Sequence, residues 1–168
     1  NNEKYISIAI ESFLNQSYPN KELIIADDES TDKSIDLLKK IEGKHSNIKI
    51  IFNKHVGYPN IVNIPIEYSN GKYLFLLDSD DILLPNAISI LVEKSEKNNL
   101  DICYGNMTPI DSNGDIIKSK NKINNSFYPG RLIKSMFLSH PKMFTKSIYD
   151  KIGEFGDKKL FYGGDWDF

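Results

Sequence analysis

The chain has 168 residues, with 21 Lys and Arg against 23 Asp and Glu and a formal net charge of −2 at pH 7. So even a balance offers no broad cationic surface for a polyanion, and no nucleic-acid partner is expected. Hydrophobic residues make up 40%, enough for a core without staples; no apolar run approaches the ~20 residues that span a bilayer; and the single cysteine, Cys103, excludes an internal disulfide and fits a reducing compartment.

Tyr5, Ile6, Ala9, Ile10, Phe13 and Leu14 recur at helical spacing, and the pattern stops before Pro19. Glu22 to Ala26 is a short strand that runs into Asp27-Asp28. Ser30, Thr31 or Asp32 can cap a helix carrying Ile35, Leu37, Leu38 and Ile41, which Gly43 ends. Ile48 to Phe52 is the next strand. Pro59 opens a helix through about Tyr68, with Pro65 removing one donor inside it.

The turn Asn70-Gly71 introduces Tyr73-Leu74-Phe75-Leu76-Leu77, an apolar run that reads as a strand buried on both faces. It ends in Asp78-Ser79-Asp80-Asp81, and a helix with Ala87, Ile88, Ile90, Leu91 and Val92 follows. Asp101 to Tyr104 is one more strand, in which Cys103 reads as a buried structural thiol. Ser112-Asn113-Gly114-Asp115 joins Met107–Ile110 to Ile116–Ile117 as an added antiparallel hairpin. Residues 119 to 126 are polar and aperiodic and read as a mobile loop.

This alternation predicts an α/β fold in one domain: a mostly parallel sheet, helices on both faces and a small antiparallel addition. The chain opens at a helix and stops at Asp165-Trp166-Asp167-Phe168, which looks like the start of another. It reads as a fragment truncated at both ends.

Three carboxylates within four residues past a buried strand repel one another unless a cation neutralises them. Mg²⁺ or Mn²⁺, bound through oxygen, is the natural partner, and either keeps positions open for phosphate oxygens. The competing reading is a helix N-terminus capped by Ser or Asp. Ligands of open parallel sheets bind beyond the carboxyl ends of the strands, and Asp27-Asp28 and Asp78–Asp81 both fall at such ends. No glycine-rich dinucleotide fingerprint and no Walker-type loop is present. A nucleotide bound here would therefore be gripped through a metal and carboxylates rather than through a glycine loop.

Asn15-Gln16-Ser17-Tyr18-Pro19-Asn20-Lys21-Glu22-Leu23-Ile24-Ile25, Asp27-Asp28-Glu29-Ser30-Thr31-Asp32 and Gly71 through Asp81 together resemble family 2 glycosyltransferases of the GT-A, Rossmann-like fold. The resemblance covers nearly the whole chain, with its motifs in order. It implies inverting transfer of a sugar from a nucleotide donor, usually a UDP-sugar, with bound Mn²⁺ or Mg²⁺. Residues 1–100 would form the nucleotide-sugar half and 101–168 the start of the acceptor half. By the same resemblance, Asp28 reads the donor base, and Asp78 and Asp80 are the acids of the DxD motif. Asp80 and Asp81 bind metal and diphosphate, and Asp78 meets donor ribose or metal. Gly57 and Asn63 match the loop and helix before the DxD strand. His140 resembles a histidine near metal and acceptor, and Asp165, in Gly163-Gly164-Asp165-Trp166, matches the general base.

Family analogy adds cell-surface polysaccharide synthesis, a saccharide or lipid-linked acceptor, and a cytoplasmic place with peripheral contact at the inner membrane face. The chain departs from the pattern at Gly164, where relatives carry an acid, and at Ile61-Val62-Asn63-Ile64-Pro65, which lacks the Ala-Arg before Asn. The family's first strand is also missing. Two other readings stand beside the enzyme: a catalytically inactive nucleotide-sugar-binding or assembly domain, and a Mg²⁺-dependent receiver module built on Asp27, Asp28 and Asp78.

Overall fold

The apolar runs condense into alternating helices and strands in a computed structural model that describes residues 1–58, 60–117 and 142–156. In chain order these are α1 (Ile6–Leu14), β1 (Leu23–Asp28), α2 (Ser34–Ile41), β2 (Ile48–Asn53) and α3 (Asn60–Glu67). Then come β3 (Tyr73–Leu76), α4 (Ala87–Asn98), β4 (Ile102–Tyr104), β5 (Lys142–Thr145) and α5 (Lys146–Ile152). The α/β class follows as expected.

The strands form two sheets rather than one. β1 and β2 are parallel, with Leu23 opposite Ile48 and Asp28 opposite Asn53. In the second sheet β5 lies between β3 and β4 and is antiparallel to both. β5 and α5 are elements that the sequence pattern does not reveal. Met143 and Phe144 of β5 are both buried, so the strand fits beside β3, which is itself apolar on both faces. The expected hairpin is reduced to one antiparallel bridge between Ile110 and Ile116. Asp111 closes its turn by accepting the N–H groups of Asn113 and Asp115. Cys103 is a free, half-buried thiol. The segment 119–126 lies outside the described residues.

Strand periodicity sorts the core into layers. Leu23 and Ile25 of β1 pack with Ile6, Ile10 and Leu38, from α1 and α2. Phe75 and Leu77, along β3, pack with Phe13 and Ile88, from α1 and α4. The alternate residues of β3, Leu74 and Leu76, turn to Ile66 of α3 and Tyr149 of α5. Helices therefore cover both faces, as the apolar strands require.

Two buried amides tie the layers together. Gln16, just past α1, donates to the carbonyls of Ser12 and Leu84 (3.1 and 2.7 Å) and accepts the N–H of Ile88 (3.1 Å). Ser12 Oγ accepts the N–H of Leu83. The first turn of α4 has no side-chain cap of its own, so Gln16 satisfies a donor that its helix cannot. On the opposite side Asn63 Oδ1 accepts both the Tyr149 hydroxyl (3.0 Å) and the Phe155 N–H (2.8 Å), and its Nδ2 donates to the Phe155 carbonyl (2.9 Å).

Gln16→Leu leaves the Leu84 carbonyl and the Ile88 N–H unpaired in a near-isosteric pocket. We expect a loss of about 2–3 kcal/mol in urea unfolding, against under about 0.5 kcal/mol for an exposed substitution such as Lys94→Ala. Burial first, and then the charges of Glu154, Glu67 and Asp150, push the Tyr149 phenol up from 10.0 to about 12. The phenol's share of stability is therefore intact below pH 10 and is lost as pH rises toward 12, because the unfolded chain ionises first. Unfolding midpoints measured from pH 9 to 11.5 should fall less steeply in Tyr149→Phe than in the native chain.

Candidate functional site

Both acidic groups found in the sequence sit at the carboxyl ends of strands, in turns whose shape the backbone sets. After β1, Asp27 is buried and accepts the Ser30 N–H at 3.0 Å. Glu29 takes the left-handed conformation, with φ 65°, which bends the chain away from the strand. After β3, the Asp81 N–H closes on the Asp78 carbonyl at 3.1 Å. That turn leaves Asp78 and Asp80 exposed and Asp81 half-buried. Gln16 and Ser12 grip the segment that follows, so the acidic turn is held between β3 and α1.

Asp28 is engaged on both carboxylate oxygens. Its Oδ1 accepts the Val56 N–H (2.7 Å), its Oδ2 accepts the Gly57 N–H (3.0 Å), and Oδ2 lies 2.8 Å from His55 Nδ1. Glu29 reinforces the clamp by accepting the His55 N–H at 3.2 Å. The loop after β2 is thereby folded across the end of β1. Gly57 supports this path with φ +74°, a conformation that costs a side-chain residue about 1 kcal/mol. A carboxylate has about four acceptor sites, and three of Asp28's are in use among the described residues.

The amino-terminal residues complete the same edge. The Asn1 ammonium donates to Ser30 Oγ (3.1 Å), and Asn1 Oδ1 accepts the Thr31 N–H (2.7 Å). Asn2 donates its N–H to Ser34 Oγ and its side-chain amide to Ser79 Oγ. Asp32, hydrogen-bonded first by Ser34 and then by the Glu3 backbone, is held down to about 2.

Asp28 and Gly57 are brought together. Asp78, Asp80 and Asp81 form a second group on the same edge, linked to the first through Asn1 and Asn2. Asn63 lies apart, its oxygen committed to Tyr149 and Phe155. His140 and Asp165 lie outside the described residues. Sequence reasoning missed His55, Glu29 and Asn53. His55 stands two residues before Gly57, but only the register that sets Asn53 beside Asp28 shows that this loop reaches the acid. Asn53 Nδ2 is buried with no hydrogen-bond partner among the described residues, and no sequence signal marks it.

No three His, Cys, Asp or Glu side chains converge as a metal cage among the described residues. Asp80 and Asp81 are hard oxygen donors on one turn, exposed and half-buried. They suit a cation held by one or two carboxylates that takes its remaining ligands from water and phosphate.

Residues 1–154 match the family described as Glycosyl transferase family 2. The chain is 35% identical over 119 residues to the Escherichia coli UDP-Glc:alpha-D-GlcNAc-diphosphoundecaprenol beta-1,3-glucosyltransferase WfgD, covering 70% of this chain and 46% of that protein. It is 32% identical over 152 residues to Escherichia coli chondroitin synthase, covering 89% of this chain and 22% of that one. The chain thus spans less than half the length of these curated relatives. In fold it is similar to S. aureus TarS 1–349 solved with UDP, with a TM-score of 0.75 and 23% identity over 99% of this chain and 50% of that one. A receiver module is set aside by these matches.

Removing the clamp tests what holds the loop after β2. In Asp28→Ala, backbone amide exchange at Val56 and Gly57 should quicken by about tenfold or more while the core strands stay protected. Unchanged exchange at both amides would show that the loop holds its shape without Asp28.

Proposed function

Because the chain belongs to glycosyl transferase family 2, we propose that it forms the donor-binding part of an inverting, metal-dependent enzyme that moves a sugar from a UDP-sugar to a saccharide hydroxyl. The observation that carries this reading is the pairing of two carboxylate groups at one sheet edge: Asp28 with its clamped loop, and the Asp78–Asp81 turn. The acceptor is a saccharide, free or lipid-linked, in cell-surface polysaccharide assembly. The names of WfgD and chondroitin synthase support that setting, and the UDP bound to TarS supports the donor class. Work on a lipid-linked acceptor sets the protein on the cytoplasmic face of a membrane as a peripheral enzyme. Among the described residues no helix is long and apolar enough to cross one.

Asp28 directs its remaining acceptor site to an N–H of the donor base, and the Gly57 loop that it clamps forms the wall beside that base. Asp78 meets the ribose. Asp80 and Asp81 would hold Mn²⁺ or Mg²⁺, which would supply positive charge to a diphosphate leaving group. Asn63 fixes α3 beneath the Gly57 loop. Asp165 takes the acceptor proton from the face of the sugar opposite the leaving group, the arrangement that inversion demands. His140 contributes beside the metal and the acceptor.

Thermal denaturation with UDP, with and without Mn²⁺, is the first test. Nucleotide at a hundredfold excess over Kd should stabilise the fold by about 2.7 kcal/mol, only when Mn²⁺ is present, and Asp80→Ala should abolish the shift. A metal-independent shift that persists in Asp80→Ala would overturn the assignment of Asp80. In the full-length protein, Asp165→Asn should lower kcat by about 10²–10⁴-fold with UDP affinity retained; full activity in that variant would remove it as the base.

A further inference from the structure

Among the described residues, two carry a side chain at positive φ: Glu29 at 65° and Asn99 at 51°. Asn99 ends α4, a position where asparagine commonly takes the left-handed conformation. Nothing comparable excuses Glu29. In this conformation its Cβ crowds the following carbonyl oxygen, whereas glycine would make the same turn without that clash. Backbone strain of this kind gathers at sites of binding and reaction, which turns attention to what the Glu29 side chain holds.

Glu29 is exposed, and its carboxylate accepts the His55 N–H at 3.2 Å. One solvent-exposed hydrogen bond adds little to global stability, so the effect of this contact is local. His55, Val56 and Gly57 present three successive N–H groups to two successive carboxylates. Glu29 takes the first, and Asp28 takes the second and third at 2.7 and 3.0 Å. Successive backbone amides can form a concave anion site, and here the protein's own side chains serve as the anions. Neighbouring side chains on an extended strand point to opposite faces. The left-handed turn at Glu29 brings its carboxylate round to the loop that Asp28 already holds.

His55 is thus held twice, through its amide by Glu29 and through its ring Nδ1, 2.8 Å from Asp28 Oδ2. The ring in turn lies beside Gly57, with Nε2 4.0 Å from the point that a Cβ there would occupy. Releasing the His55 amide frees the ring to leave both Asp28 and Gly57. We infer that Glu29 is a positioning residue for nucleotide binding: its carboxylate fixes residues 54–57 in the shape that receives the donor, and the strained turn is kept for that carboxylate. The inference rests on the reading that Asp28 and the Gly57 loop face the donor base. Glu29 acts through His55 rather than on the donor.

Three variants of the 168-residue chain separate the carboxylate from the backbone. Glu29→Gln keeps an acceptor and the strain, Glu29→Ala keeps only the strain, and Glu29→Gly keeps neither. Amide exchange at His55 should quicken by about tenfold in the Gly and Ala variants and stay within about twofold of native in Gln. In UDP titrations with Mn²⁺, Kd should rise by about three- to tenfold in the Gly and Ala variants and hold within about twofold in Gln. Stability should follow a different order, with Tm about 2 °C higher in Gly than in Ala because glycine relieves the turn. An affinity that follows Tm, native in Gly and weakened in Ala, overturns the proposal and leaves Glu29 as a turn residue. Native exchange at His55 in all three variants overturns it as well. So does a loss in Gln equal to that in Gly and Ala, which assigns the effect to charge rather than to the hydrogen bond. A native chain that binds no UDP overturns the donor reading and with it the nucleotide role, and quickened His55 exchange in the Gly and Ala variants would then keep Glu29 as the residue that holds the loop.

Discussion

The placement of the whole carboxyl edge depends on α1 being gripped at both ends. At its start, Asn1, Asn2 and Glu3 bond to the turn that carries Ser30, Asp32 and Ser34. At its end, Ser12 and Gln16 hold the chain from Leu83 to Ile88. One short helix thus fixes the turn after β1 relative to the turn after β3, although the two strands share no hydrogen bond. The apolar face of α1 packs against both groups of strands. Polar clasps supply direction where burial alone supplies only proximity, because a hydrogen bond has a preferred geometry and the hydrophobic effect does not.

Much of this architecture was legible from periodicity. Helical spacing in Tyr5–Leu14 and in Ala87–Val92, and the apolar run Tyr73–Leu77, each found its element. Boundaries shifted where pairing decided them: β1 runs on through Asp28 because each added residue finds a partner as far as Asn53. β5 and α5 were not legible. Four residues, Lys142–Thr145, carry too little pattern to declare a strand, and their identity comes from partners distant in the chain. The division into two sheets was equally invisible, since local pattern reports which residues are buried and not which edges meet.

At the site, the acids were legible because charge at the end of an apolar strand is anomalous by itself. What they hold was not. Asp28 faces His55, Val56 and Gly57 only after the parallel register has carried the end of β2 alongside β1. Gln16 and Asn63 look alike in a sequence, as amides in or beside short helices, yet one caps a distant helix and the other clasps α5 and the segment after it. Their roles depend on three-dimensional neighbours, and both are satisfied on nearly every polar atom, as buried amides must be. Asn53, whose buried nitrogen has no partner among the described residues, departs from that rule, and it is paired with Asp28 in the register of β1 and β2.

The position of β5 between β3 and β4 also governs the order in which this chain can fold. β1 and β2 are joined by a single short helix and can associate through nearby residues. β3 and β4, by contrast, are made early and must remain apart until a segment from far along the chain arrives to lie between them. Closing so long a loop costs entropy before any contact compensates it, and non-local pairing slows folding. During synthesis, then, the half that carries Asp28 can consolidate first. The strand leading to Asp78 lacks its β5 partner until residue 145 emerges, and that interval is when the nascent chain is most exposed to misassociation.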